Sequence, residues 1–192
     1  MTNTTNAKAL VREYGQIVDD THGACLDFGA ARISYLAQLN TMNVTRVPGA
    51  RVHFGNEDPN VLEREGSWAS ATAHSVLATE LIARNQPGAA NETLSGNMCL
   101  VYIYQMWEDE YRERIAQELG YTTKNELKVP VMGDIRQYRM SIVHNKGIAI
   151  TACDNCQVLK WFTARSRISI TADMLWHAKL EITKALSALT GL

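Results

Sequence analysis

The stretch from Gly133 to Gly147 sets Arg139 and His144 five residues apart, with Arg136 ahead of the pair and Asn145 and Lys146 directly behind it. Histidine exchanges protons near neutral pH. Arginine presents a rigid fork of donors that matches a phosphate. A proton-transfer group beside a phosphate clamp is the minimum equipment for cleaving RNA without a metal ion; Arg136, Asn145 and Lys146 are candidates to contact the RNA backbone, with a plain polar helix end the alternative for Asn145 and Lys146. The charge distribution points the same way. The chain has a formal net charge of -1, yet residues 128–167 hold seven Lys or Arg against two acids, a net of +5, while the rest holds 12 basic and 18 acidic residues. A phosphate would be drawn to that basic stretch.

The elements that carry these residues read as mainly helical. Leu26, Ile33, Leu36 and Leu39 recur at helical spacing in the opening third. Residues 46–57, with Pro48, Gly49 and Gly55, read as a loop, and Asp58-Pro59 as the start of a short helix ending at Gly66. Ser67 is a candidate cap for an alanine-rich helix from Trp68 to about Arg84, followed by a loop to about Gly96. The clearest long helix runs from about Asn97 to Leu119, with Val101, Tyr104, Tyr111, Ile115 and Leu119 on one stripe, Trp107 beside it and Gly120 as the stop. Val129-Pro130 starts the helix that bears Arg139 and His144; Met132, Ile135, Tyr138 and Ile142 share its buried face, and Gly147 is expected as its left-handed cap. Ile148–Ala152 and Gln157–Thr163 are rich in β-formers, so a hairpin turning at Cys153–Cys156 is expected there, with Ile168–Ile170 as a third short strand. Thr171 caps a last helix with Leu175, Ile182, Leu186 and Leu189 inward. The expected fold class is therefore mainly α: a helical bundle with a small β-hairpin inserted before the last helix, one domain over residues 1–192 with 1–8 as a frayed tail.

Composition narrows the function classes. With 46% hydrophobic residues the chain can bury a core, and no apolar run approaches the ~20 residues of a membrane helix. The N-terminus lacks the basic start and apolar centre of a signal peptide, so a cytoplasmic protein is expected. Four scattered cysteines do not make a disulfide framework; Cys153 and Cys156 are expected as two thiols, with zinc disfavoured because no second ligand pair exists. Of the other histidines, His22, His53, His74 and His177 show no partner pattern. Glu108, Asp109 or Glu110 can supply an acid that orients His144, or form a solvated face. Tyr138, next to the motif, reads as core from its stripe position. No phosphate loop, dinucleotide fingerprint or nucleophile elbow is present. On a straight helix five positions separate Arg139 and His144 by ~140° around the axis and ~7.5 Å along it. They do not share one face, so a distorted helix end or a second subunit is needed to bring both to one phosphate.

An Arg-x4-His ending a helix in a helical domain resembles the HEPN superfamily, over roughly Cys25 to Leu192. The resemblance implies a homodimer with the motifs of both copies facing across a cleft, no cofactor and no metal. It implies an RNA endonuclease, often a toxin paired with an antitoxin protein or a defence component. Arg139 would bind the scissile phosphate and His144 would transfer the proton as the RNA 2′-hydroxyl attacks its own phosphodiester. The residue after the arginine is usually polar in that family; here it is Met140, which also admits a catalytically silent HEPN-like dimer that binds nucleic acid or a protein partner.

Overall fold

The computed structural model describes residues 4–42, 46–55 and 72–191. Among them the chain is mainly α with one small antiparallel hairpin. It divides into two compact units, Met1–Gly29 with Glu92–Leu192, and Ala30–Asn91. Helix α1 (Thr4–Thr41) contributes to both. Residues 4–8, expected as a frayed tail, are its first turn, and Ala7 is fully buried.

The smaller unit holds strands β1 (Arg51–Gly55) and β2 (Thr72–Leu77) and the short helix α2 (Ala78–Arg84). The strands pair antiparallel with Val52 opposite Val76 and Phe54 opposite His74. Val52 and Val76 pack with Leu39, Tyr35, Leu81 and Ile82 into a local apolar cluster. The hairpin thus lies where the sequence suggested a loop and the alanine-rich helix. Period-two alternation at Val52 and Phe54 follows the Pro48-Gly49 turn; of the described part of the expected alanine-rich helix, Thr72–Leu77 is strand and Ala78–Arg84 is helical. The expected helix starting at Asp58-Pro59, and its stop at Gly66, lie outside the described residues.

The larger unit is built on the first half of α1, α3 (Ala90–Met106), a π-helical turn (Trp107–Tyr111), α4 (Arg112–Glu118), α5 (Pro130–His144) and α6 (Ala172–Thr190). Their inward residues form one core. The α1 stripe is Leu10, Val11, Tyr14, Val18 and Cys25, whereas Leu26 and Ile33 are exposed. Helix α3 starts earlier than expected, inside the presumed loop, but the long α3–α4 run buries Tyr104, Trp107, Tyr111 and Ile115 as its period requires. Tyr14 packs against both Trp107 and Tyr111, with ring centroids 5.6 and 5.2 Å away, and its hydroxyl donates to the Ile103 carbonyl at 3.1 Å. Thr171 accepts from the Met174 N–H as the cap of α6; Leu175, Ile182 and Leu186 are buried, while Leu189, expected inward, is exposed.

No hairpin forms over residues 148–163; a single bridge joins Ile148 to Arg167, and Thr151–Asn155 is a 3-10 turn. The reason is where the backbone N–H groups go. The buried Asp134 carboxylate on α5 accepts from the N–H groups of Gln157, Val158 and Leu159 at 2.7–3.1 Å. Ser141 accepts from Ile150 N–H at 3.1 Å and Tyr138 from Trp161 N–H at 3.1 Å. Asn97 on α3 does the same for the expected third strand, accepting from Ile170 N–H at 3.1 Å and donating to the Ile168 carbonyl at 3.3 Å. Gly96 permits this close approach, since a Cβ there would sit 1.9 Å from the Ile170 carbonyl oxygen. Side chains thus replace the ladder a second strand would have supplied.

Replacing Asp134 by Ala strands three backbone N–H groups, on exposed Gln157, half-buried Val158 and fully buried Leu159. At roughly 1–3 kcal/mol for a buried unsatisfied group, Asp134→Ala is expected to lower stability by about 3 kcal/mol or more in urea unfolding. A loss under about 1 kcal/mol would contradict this role.

Candidate functional site

Helix α5 is positioned from both ends. Val129 is extended and Pro130 occupies the first turn, where its missing N–H costs nothing. At the other end Asn145 and Gly147 N–H both return to the Ser141 carbonyl, at 3.1 and 3.0 Å. Lys146 and Gly147 take positive φ of 55° and 74°, so the expected left-handed cap is two residues long. Met132, Ile135 and Tyr138 are buried in the core and Ile142 packs against it. Tyr138 stacks on Trp161 at 5.6 Å and meets Phe162 edge-on, which makes it core rather than a platform for a base. Burial raises its hydroxyl pKa well above the ordinary value.

Arg139 and His144 do come together. Arg139 Nη1 lies 3.3 Å from His144 Nε2. Their positions still lie on different faces of the helix, as five residues require; the long arginine side chain spans the arc between them, so neither a distorted helix end nor a second copy is needed for the contact. A guanidinium has no acceptor, so a hydrogen bond here has the imidazole nitrogen accepting. His144 is exposed and Arg139 half-buried. The same Nη1 is 3.6 Å from Met140 Sδ, and Arg139 Nε is buried without a hydrogen-bond partner.

The remaining candidates divide. Arg136 is exposed and lines two adjoining pockets of about 560 and 410 Å³. Arg139 and Met140 line the second. Lys146 is exposed at the helix end. Asn145 uses its amide to donate to the Ile148 carbonyl at 2.8 Å, so its first role is to close the helix. The acids on the neighbouring helix do not orient His144. Glu108 binds Arg112 and Lys124, each at 2.9 Å, and accepts from the Tyr104 hydroxyl; Asp109 accepts from Gln105. Cys153 and Cys156 are buried free thiols, and burial with the Asp134 charge pushes Cys156 up to about 11 against the pull of the Tyr138 hydroxyl. Among the described residues no three His, Cys, Asp or Glu side chains gather as a metal site.

Two contributors escape a sequence reading. Arg112, from the acidic part of the chain, joins Lys128 and Arg136 in lining both pockets, as does Tyr104. The i, i+4 spacing of Glu108 and Arg112 signals their ion pair, but nothing in the sequence places Arg112 beside Arg136. No protein family, curated protein or solved structure matches the chain.

Burial works against the Glu108 charge, but hydrogen bonds from Lys124 and Arg112 and their positive charges hold its carboxyl below the usual range. A carboxyl lowered on folding adds stability above its unfolded pKa and loses it as pH falls through the lower folded value. Between about pH 5 and about pH 3, wild-type stability is expected to fall more steeply than that of Glu108→Gln. Parallel curves in acid unfolding would contradict the pairing.

Proposed function

We propose that the chain is a metal-independent RNA endonuclease of the HEPN type, acting as a homodimer. The observation that carries this reading is the 3.3 Å approach of Arg139 Nη1 to the exposed His144 Nε2 at the end of α5. Attack by a 2′-hydroxyl on the adjacent phosphorus needs a base for the hydroxyl proton, an acid for the departing 5′-oxygen, and positive charge for the extra negative charge that develops on phosphorus. Arg139 supplies the charge. His144 supplies one proton-transfer group per chain, so a second copy supplies the other, and the symmetric pair completes the site.

The arginine–histidine contact also suggests the order of events. A charge-assisted, two-pronged bond to phosphate is stronger than a bond to a neutral imidazole. Arrival of the phosphate therefore turns Arg139 away from His144 and frees Nε2 to take the 2′-hydroxyl proton. The attack forms a 2′,3′-cyclic phosphate, and the 5′-oxygen leaves with a proton from the other imidazolium. The four buried thiols fit a reducing cytoplasm, and no helix among the described residues is long and apolar enough to cross a membrane. A toxin or defence component restrained by an antitoxin protein fits this chemistry.

One observation favours a second reading, a silent HEPN-like dimer that binds nucleic acid or a protein partner. Met140 stands beside the arginine, its sulfur against the guanidinium, where a polar residue would help hold a phosphate.

In excess EDTA, wild-type protein is expected to cleave RNA, with His144→Ala and Arg139→Ala each losing at least ~100-fold. Activity retained by both variants refutes the site; a wild-type dimer with no activity selects the silent reading. Gel filtration at micromolar concentration is expected to give a dimer, and a strict monomer would contradict the two-copy site.

A further inference from the structure

We infer that the RNA strand reaches His144 along the outer face of α5, in a basic groove that starts at Gly133; this inference rests on the nuclease reading above. Gly133, Arg136, Met140 and His144 follow one another at spacings of three and four, so they form one stripe of the helix. The stripe is about 16 Å long at ~1.5 Å per residue, several times the reach of a single phosphate. The adjoining pockets lie on it: Gly133 and Arg136 line one, and Arg136, Arg139 and Met140 line the other.

Three of the cations in this groove are not neutralised from within. Lys128, Arg136 and Arg139 form no ion pair among the described residues. The lining carboxylates are already engaged: Glu108 holds Arg112 and Lys124, and Asp134 is buried beneath three backbone N–H groups. The N-terminal end of α5, with its partial positive charge, opens into the same space through Val129, Pro130 and Gly133. A row of cations of this length, ending at a phosphate clamp and a proton-transfer group, fits a run of phosphodiesters better than a mononucleotide. Lys128 and Arg136 are then substrate-binding residues that set the direction of the strand, and Gly133 is where it enters. A Cβ added at Gly133 meets nothing within 4 Å, so the missing side chain leaves room for the strand rather than for packing.

That last feature provides a variant that blocks the groove without disturbing the core. Binding of a fluorescent, short single-stranded oligoribonucleotide is followed by anisotropy over a salt series in the cleavage-deficient His144→Ala protein. Adding Lys128→Ala with Arg136→Ala is expected to weaken binding at least tenfold and to flatten the salt dependence by about two released counterions. Adding Gly133→Glu is expected to weaken binding by a similar factor with no fall in melting temperature. Arg12→Ala with Lys184→Ala, exposed cations that line neither pocket, is expected to leave the affinity within twofold. Unchanged affinity in both groove variants, or no binding by the folded His144→Ala protein, overturns the groove. If wild type still cleaves in EDTA, the nuclease survives that result. Groove variants that weaken binding to a protein that cleaves nothing support the groove and remove the nuclease.

Discussion

The carboxylate of Asp134, receiving three successive backbone N–H groups from residues 157–159, is the constraint on which the larger unit depends. A buried carboxylate is costly unless its lone pairs are filled, and buried N–H groups are costly unless they find acceptors. Each solves the other's problem. Tyr138 and Ser141 extend the arrangement along the same side of α5, so one helix face acts as the hydrogen-bonding partner of an irregular segment. That segment then covers the core with Leu159, Ile168 and Ile170. With α5 fixed on this face, its neighbouring face is free to present Gly133, Arg136, Met140 and His144 outward.

The candidate site is assembled with the opposite logic. Its donors are under-satisfied: Arg139 Nε has no acceptor, and Nη1 meets only an imidazole nitrogen and a thioether sulfur. Core-like satisfaction would make the arginine useless for a substrate. The two positive-φ residues at the end of α5 stop the helix directly after His144 and leave the imidazole exposed, where a phosphate or a second copy of the chain can reach it. The π-helical turn at Trp107–Tyr111 has a comparable part. It buries Trp107 and Tyr111 while Arg112, just beyond it, lines the groove; π turns occur frequently at functional sites.

Much of this was legible in the sequence where a period or a cap carried it. The α3–α4 stripe, the start of α5 at Val129-Pro130, the Gly147 cap and the Thr171 cap all follow from local rules. The hairpin did not. Ile148–Thr163 is rich in β-formers, but composition does not reveal that Asp134, Tyr138 and Ser141 would take the N–H groups a partner strand needs. The real hairpin sits among Pro48, Gly49 and an alanine-rich stretch, which mask the alternation of Val52, Phe54 and Val76. Helical angles set Arg139 and His144 on different faces but do not reveal the reach of the arginine side chain, which brings the two groups together. Arg112 joined Lys128 and Arg136 only through the connection that folds α4 back toward α5, a tertiary fact with no local signature.

The chemistry proposed for the Arg139–His144 pair is tested most directly by the ends of the RNA products. Mass analysis of RNA cut in excess EDTA is expected to find 2′,3′-cyclic phosphates opposite 5′-hydroxyls, absent when His144→Ala replaces the wild type. Products ending in 3′-hydroxyls and 5′-phosphates, or cyclic phosphates undiminished in His144→Ala, would contradict the attack of the 2′-hydroxyl assisted by this histidine.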